Sequence, residues 1–328
     1  MSMTRSPLGP TGRHLVALAV VALTGCAGGL DSGTGAGTQS CVEPGQPVQA
    51  ALLSILRSGT EQADPVSPAP PSAPRLTGLI RPEQVAVTGP DVYIADSGLR
   101  AVVRTDRGGM AFSTVARLPS TRIGGLAVDR SGTVMVALPG ESALLQFGRL
   151  GGDASRIGDA TALSSPVDVA TDGTDRIFVG DGLGARIVRF NRIGQVQSMI
   201  GERGDRPGPF NAVTAVALGP DALYVLDGAA RQVKVMPASG PARTVALGNE
   251  ARQPAALAVD RWGRIFVADR GRRGLTVLQT AAPQIGDLGG VPALQNVSDV
   301  FVDESDVVYV ADSVAGAVYV LAVPRPCP

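Results

Sequence analysis

The aspartates of this sequence recur at a fixed place, at the end of short apolar segments. Six such segments are present, and five of them end in aspartate: Val92–Asp96, Val134–Leu138, Ile177–Asp181, Leu223–Asp227, Ile265–Asp269 and Val308–Asp312. A ring of these carboxylates could bind cations. An element that recurs in every repeat more often serves every repeat, by accepting backbone N–H bonds in the following turn. We therefore expect a structural role for the five aspartates, and a looser turn after Leu138.

A second set of residues could form a metal site with oxygen ligands. The apolar segment that precedes each of the six begins at Gln84, Gly125, Asp168, Ala215, Ala256 and Asp299. If the six repeats close into a ring, Asp168 and Asp299 lie opposite each other at the mouth of a central funnel, with Glu83 on the same rim. Carboxylate oxygens are typical Ca²⁺ ligands. These three residues are candidate ligands for Ca²⁺ or another divalent cation; the alternative is two solvated aspartates that cap turns, with no cofactor.

The histidine content excludes several kinds of catalytic site. The one histidine, His14, lies in a segment that we interpret as a signal peptide. The remaining chain therefore offers no residue for a histidine base, a Ser-His-Asp triad or a histidine-bound zinc. The net charge is zero, and no basic block with interleaved aromatic residues is present. Nucleic acid is not an expected partner.

The spacing of the six segments predicts the architecture. Their period is about 43 residues, the length of one four-stranded propeller blade. The sequence predicts an all-β fold, a six-bladed β-propeller with four-stranded antiparallel blades, over residues 75–328. The last repeat ends after its third strand. We expect Arg75–Ile80 to supply the fourth strand, so that no edge stays open.

One repeat resembles a known family. The stretch Phe190–Asp221, followed by Leu223–Asp227, contains Gly-x-x-Gly, then Pro-Gly-x-Phe, then an apolar strand. In this it is similar to an NHL repeat, and the other repeats match that pattern in pieces. The resemblance covers residues 75–323 and implies the propeller fold, but it says little about function.

Two enzyme classes with related propellers bear on the activity. Gluconolactonase-type propellers hold a metal in the funnel with a Glu, Asn and Asp set, and this chain lacks the Asn at its inner-strand positions. Streptogramin lyases and peptide amidating lyases resemble the chain in fold but depend on histidine. The main functional prediction is therefore a non-enzymatic platform that binds an envelope protein or peptide. The alternative is a metal-dependent hydrolase or lactonase with its site in the funnel.

The N-terminus has the features of an export signal. Arg5, Arg13 and His14 precede an apolar run that is too short to span a bilayer, followed by Leu-Thr-Gly and Cys26. This pattern resembles a bacterial lipobox. It implies that residues 1–25 are removed, that Cys26 is lipidated and anchors the protein in the membrane, and, with Ala27, that the protein faces the periplasm from the outer membrane. The alternative is an ordinary secretory signal.

Two cysteines remain after Cys26. An exported compartment is oxidising, so Cys41 and Cys327 are expected to form a disulfide; the alternative is two free thiols. Residues 26–74 are predicted to be a tether that contains a short amphipathic helix, Gln46–Arg57, and a proline-rich linker. The apolar residues of that helix recur at helical spacing.

Two places in the propeller are candidates for partner binding. The loop Gly201–Asn211 is charged, with Arg203 and Arg206, and Phe210 should fix its end. Trp262 lies in a turn, where an exposed aromatic residue could anchor a partner. The alternatives are an ordinary family connection for the loop and packing on the next blade for Trp262. We expect a monomer.

Overall fold

The computed structural model describes most of the predicted propeller and part of the segment before it. The described residues are 41–43, 46–57, 78–172, 174, 176–201, 210–278 and 285–327. For residues 285–287 only the backbone is described. The chain divides into the units Met1–Thr38 and Gln39–Pro328. The predicted signal peptide, Cys26 and the proline-rich linker lie outside the described residues. Within the described residues, no helix is long and apolar enough to cross a membrane.

The described residues form 24 β-strands and one short 3₁₀ turn, Pro139–Glu141. The first twelve strands are β1 (Ala51–Leu56), β2 (Pro82–Thr88), β3 (Asp91–Asp96), β4 (Ala101–Asp106), β5 (Ser113–Arg117), β6 (Leu126–Val128), β7 (Val134–Leu138), β8 (Ala143–Gly148), β9 (Gly151–Ile157), β10 (Pro166–Thr171), β11 (Ile177–Asp181) and β12 (Arg186–Phe190). The remaining strands are β13 (Val196–Ile200), β14 (Val213–Leu218), β15 (Ala222–Asp227), β16 (Gln232–Pro237), β17 (Arg243–Ala246), β18 (Pro254–Val259), β19 (Ile265–Asp269), β20 (Gly274–Leu278), β21 (Ile285–Asp287), β22 (Val297–Val302), β23 (Val307–Asp312) and β24 (Ala317–Ala322).

These strands confirm the predicted six-bladed propeller. Blades one to five each use four consecutive antiparallel strands, from β2–β5 to β18–β21, and blade six has the order β22–β23–β24–β1. The second strand of a blade, such as β3 or β15, is buried along its whole length. Successive side chains of a strand point to opposite faces, and each face of a blade packs on a neighbouring blade, so both faces are apolar. Phe266 of blade five and Val310 of blade six share one such core.

The predicted helix Gln46–Arg57 is wrong, because residues 51–56 form β1 instead. β1 pairs with β24, the strand that would otherwise leave its backbone hydrogen bonds open at the edge of blade six. The pairing register shifts between Leu52 and Ser54, so Leu53 is an extra residue in β1. Leu56 is buried, whereas Leu52, Leu53 and Ile55 are 43%, 57% and 41% exposed.

The predicted closing strand Arg75–Ile80 is also wrong. Residues 78–80 belong to no strand, and β1 occupies the place of the fourth strand of blade six. Closure by an N-terminal strand is nevertheless what the structure shows. The strand at the outer position is β1. It pairs with β24 along its whole length, from Ala51 opposite Ala322 to Leu56 opposite Val318.

The disulfide between Cys41 and Cys327 is confirmed. The two Cα atoms are 4.8 Å apart, and 286 residues separate the cysteines in sequence. The N–H of Val42 donates to the carbonyl of Arg325, and the N–H of Cys327 donates to the carbonyl of Val42. The disulfide therefore joins the two ends of the described chain beside the composite blade six.

The structural role of the strand-end aspartates is confirmed by their hydrogen bonds. Asp269 accepts four backbone N–H groups, two from the segment before β18 and two from the turn after β19. Asp312 also accepts four. Asp96, Asp181 and Asp227 each accept three from equivalent positions. Each aspartate thus fixes the entry of its blade to the turn between the second and third strands.

Blade two lacks the strand-end aspartate. Leu138 has no carboxylate to accept the N–H groups, and the turn that follows it is the 3₁₀ turn Pro139–Glu141. A 3₁₀ turn is tight, so the prediction of a looser turn is wrong. The inner strand β6 of this blade has three residues, whereas β2 has seven.

Arg264, in the turn between β18 and β19, is a buried cation that holds the C-terminal segment. Its Nε donates to Asp260 Oδ2 at 2.5 Å and its Nη1 to the carbonyl of Pro324 at 2.6 Å. Its guanidinium lies 5.6 Å from the ring centroid of Phe266. Burial raises the pKa of Asp260, and the charge of Arg264 opposes that rise. Arg264 therefore ties blade five to the chain that leads to Cys327.

We expect Arg264→Ala to lower the free energy of unfolding by about 3 kcal/mol, because it leaves the Asp260 carboxylate buried without a counter-charge. Urea denaturation at pH 7 measures the loss. Arg261→Ala, in the same turn, is the control. Arg261 is half-exposed and pairs with Asp306, so its loss should cost less than about 1 kcal/mol. Equal losses in the two variants would contradict the assignment.

Candidate functional site

A central channel is lined mainly by the inner strands of the six blades. Its volume is about 530 Å³. The propeller has two ends. The hairpin face is the end that carries the turns between the first and second strands of each blade. The aspartate face is the end that carries the five strand-end aspartates. The channel reaches the hairpin face, where Thr88, Asp129, Asp172 and Asp303 line it.

Three of the six predicted funnel positions line the channel. Gln84, Asp168 and Asp299 line the channel, but the other three positions do not contribute to its wall. The inner strands run from the aspartate face to the hairpin face. The two aspartates therefore lie at the end of the channel away from the hairpin face, and the prediction that they mark a mouth there stays a prediction. Within the described residues, the mouth consists of hairpin turns that the repeat pattern identified only as turns.

Asp168 and Asp299 perform the same task in opposite blades. The Oδ2 of Asp168, in blade three, accepts the N–H of Val216 in blade four at 2.8 Å. The Oδ2 of Asp299, in blade six, accepts the N–H of Val85 in blade one at 2.8 Å. Each carboxylate thus bridges its own inner strand to the inner strand of the next blade. The two bridges lie across the ring from each other.

The position of Asp168 also explains the glycine at the start of blade two. A Cβ on Gly125 would overlap Oδ1 of Asp168 and would lie 2.7 Å from the Cα of Asp168. Blade two therefore approaches blade three too closely for any side chain at residue 125. Asp168 contacts blades on both of its sides.

The surroundings of the two aspartates favour their protonated forms. Burial raises the pKa of Asp299 to about 7, although the N–H groups of Val85 and Val300 and the charge of Arg270 act in the opposite direction. Burial also raises the pKa of Asp168 well above its ordinary value, and the charge of Asp299 raises it further. A desolvated carboxylate near a second one is costly to ionise. The hydrogen bonds to backbone N–H only partly offset that cost.

Glu83, the third predicted metal ligand, does not join the pair. Its Oε1 accepts from Arg81 Nε at 2.9 Å and from Ser97 Oγ at 3.0 Å, and the residue does not line the channel. The pairing register with β3 shifts between Pro82 and Gln84, so Glu83 is an extra residue in β2 and its side chain bonds to Arg81 and Ser97 instead. Within the described ranges, no group of three or more His, Cys, Asp or Glu residues could hold a metal ion. Metal binding by Asp168 and Asp299 stays a prediction.

The candidate partner-binding residues have different environments. Arg203 and Arg206 lie outside the described residues. Phe210 is 4% exposed, and the ammonium group of Lys234 lies 5.0 Å from the centroid of the Phe210 ring. Phe210 packs with Ile187 and Val213 and therefore fixes the end of the loop as predicted, and its contact with a partner stays a prediction.

Trp262 remains available at the surface. Its side chain is 46% exposed, and its Nε1 donates to Asp306 Oδ2 of blade six at 3.3 Å. The two alternatives for Trp262, packing on the next blade and exposure to a partner, thus occur together. The indole contacts blade six and is still partly exposed. Whether Trp262 contacts a partner stays a prediction.

Sequence reasoning missed the ion pair at the channel mouth. Arg107 Nη1 lies 2.6 Å from Asp303 Oδ2, and both residues line the channel. Asp303 also accepts the N–H groups of Ser305 and Val307 in its own turn. The recurrence of aspartate in the inner hairpin turns was visible in the sequence. The arginine that reaches it comes from another blade, so no local pattern marks it.

Comparison with known proteins shows the fold. No protein-family model and no curated protein sequence matches the chain. Among solved structures, a gluconolactonase of Xanthomonas campestris is 17% identical, with a TM-score of 0.60 and coverage of 86% of this chain and 99% of that one. A virginiamycin B lyase of Staphylococcus aureus is 13% identical, with a TM-score of 0.57 and coverage of 76% and 85%. A streptogramin B lyase is 12% identical, with a TM-score of 0.57 and coverage of 84% and 97%. The six-bladed propeller is shared with these enzymes.

Proposed function

We propose that the chain is an envelope lipoprotein, anchored through Cys26 and facing the periplasm, whose NHL-type propeller is a non-enzymatic platform for a protein or peptide. The observation that supports this function is the use made of Asp168 and Asp299. Both carboxylates accept backbone N–H groups that join neighbouring blades. The side chains best placed for chemistry in the channel therefore hold the ring together.

The anchor and the platform are tested separately. Metabolic labelling with a radioactive fatty acid should label the wild-type chain, and Cys26→Ser should abolish both the label and retention in the membrane fraction. Photo-crosslinking from surface positions of the propeller in intact cells should give a discrete adduct with one envelope protein. An unlabelled chain overturns the anchor. The absence of any discrete adduct overturns the platform.

The alternative is a metal-dependent hydrolase or lactonase. It is supported by the shared fold with a gluconolactonase and by two carboxylates in the channel. The same two carboxylates would have to ionise in a buried site in order to hold a cation, which burial opposes, so the platform is the better supported function.

We expect that Ca²⁺, Mn²⁺ or Zn²⁺ at millimolar concentration changes the melting temperature of the metal-free protein by less than about 1 °C, because a ligand that does not bind the folded state does not stabilise it. Differential scanning fluorimetry gives the measurement. The controls are Asp168→Ala and Asp299→Ala. A metal-dependent rise that both variants abolish would contradict the platform and support the hydrolase.

A further inference from the structure

Of the arginines that the structure describes, three exposed ones lack the ion pairs that many others form. On the hairpin face, the arginines paired with carboxylates are Arg104, Arg107, Arg149, Arg176, Arg261 and Arg264. On the aspartate face, Arg81, Arg156 and Arg186 are paired in the same way. On the aspartate face of blades four and five, Arg231, Arg252 and Arg273 are exposed. Considering the described part of the chain, none of these three side chains has an ion-pair or hydrogen-bond partner.

These three arginines occupy neighbouring places on the aspartate face. Arg273 ends the turn after β19, and Arg252 lies before β18; the Cβ of Arg252 is 2.6 Å from where a Cβ of Gly271 would be. Arg231 ends the turn after β15, and Gly228 of that turn packs against the first residue of β18. The three side chains therefore project from adjoining turns of two adjacent blades. We call them the arginine strip.

The carboxylates beneath the strip do not neutralise it by direct pairing. Asp227 and Asp269 are buried and accept only backbone N–H groups. Glu250, exposed in the loop before β18, forms no ion pair with any of the three arginines. Among the residues that the structure describes, the three guanidiniums are exposed and can still donate hydrogen bonds to a bound carboxylate.

We propose that the arginine strip docks an acidic peptide segment of the partner protein; this deepens the proposed platform function and rests on it. Guanidinium groups bind carboxylates through two parallel hydrogen bonds, and several fixed guanidiniums favour a segment with several carboxylates. The turns that carry the strip are tied to buried aspartates, so little backbone ordering is needed on binding.

The choice of an acidic peptide over an anionic membrane follows from the position of the disulfide. β24 runs from the aspartate face to the hairpin face, and the Pro324 carbonyl accepts from Arg264 on the hairpin face. Cys41 is therefore held by Cys327 at the hairpin face. Cys41, where the described chain begins, and the arginine strip therefore lie on opposite faces, which favours a partner in solution over the membrane surface for the strip.

The test uses the full-length exported protein in a nonionic detergent and a fluorescent peptide of ten glutamates. The test variant carries Arg231→Gln, Arg252→Gln and Arg273→Gln. The control removes three exposed arginines from the hairpin side, through Arg130→Gln, Arg243→Gln and Arg325→Gln. We expect fluorescence anisotropy to show that the test variant binds about tenfold more weakly at low ionic strength, while the control stays within about twofold of wild type.

Three outcomes would overturn the proposal. In the first, wild type fails to bind the glutamate peptide; in the second, the test and control variants lose peptide binding equally. In the third outcome, the test variant binds the peptide as wild type does and loses only its binding to phosphatidylglycerol vesicles. The last would identify a membrane-facing surface. The crosslinking experiment keeps the two proposals separate. If the test variant still forms the envelope adduct at wild-type yield, the strip is wrong and the platform stands. If wild type forms no adduct but binds the glutamate peptide through the strip, the platform is wrong and the strip remains.

Discussion

Replacing both Cys41 and Cys327 by serine is expected to lower the free energy of unfolding by about 5 kcal/mol. The disulfide closes a loop with a sequence separation of 286 residues. In the chain-entropy model the stabilisation rises with the logarithm of loop length, so a loop of this size lies near the upper end of the known range. Guanidinium denaturation under oxidising conditions measures the change.

Two controls distinguish the crosslink from the side chains that form it. Wild-type protein measured in a reducing agent should match the double serine variant, and each single variant should match the double variant. A double variant within about 1 kcal/mol of oxidised wild type would show that β1 and the short pairing around Val42 hold the chain ends without help.

We expect the pH dependence of stability to be dominated by the channel aspartates. The pKa of Asp299 is raised to about 7 in the folded protein, against about 3.9 for an aspartate in an unfolded chain. The folded state therefore holds a proton that the unfolded state releases, and stability falls as pH rises from about 4 to about 7. Above pH 7 the full cost, about 4 kcal/mol, is present.

The corresponding experiment compares urea denaturation at pH 5 and pH 8. Asp299 alone should make wild type about 2.5 kcal/mol less stable at pH 8 than at pH 5. Asp168 acts in the same direction, because burial and the charge of Asp299 both raise its pKa. Asp299→Asn should remove the contribution of Asp299, about 2.5 kcal/mol, and leave that of Asp168, since the amide oxygen can still accept the N–H of Val85.

The measurement at pH 5 distinguishes the proton of Asp299 from the hydrogen bond that Asp299 accepts. At pH 5 Asp299 is protonated in the folded wild type, so the variant should have nearly the wild-type stability there if the asparagine preserves the bridge to blade one. A variant that loses stability equally at both pH values would indicate a broken bridge. A variant with an unchanged pH dependence would contradict the assignment of the proton to Asp299.

The repeats were predictable because each blade depends on local sequence. An apolar second strand with apolar neighbours can be buried between two blades wherever it occurs, so a period of one blade specifies the ring. β1 was not predictable in the same way. The extra residue Leu53 breaks the two-residue alternation of the strand, and the apolar residues of 48–56 then recur as they would on a helix.

The candidate site was predictable in position but not in use. The repeat places Asp168 and Asp299 at equivalent points of opposite blades, and the structure keeps them there. Their hydrogen bonds go to Val216 and Val85, which belong to the next blades, so they depend on the register between blades. The closeness of Gly125 to Asp168 depends on the same packing. No pattern within one repeat carries that information.

The composite blade six sets an order of events during biogenesis. β1 emerges among the first segments of the chain, but its partner β24 is the last strand to be made. Until β24 has been made, five blades can pair internally while the outer strand of the sixth has no partner. The ring can therefore close, and the Cys41–Cys327 bond can form, only after almost the whole described chain has been synthesised. A chain that is released early is left with β1 unpaired.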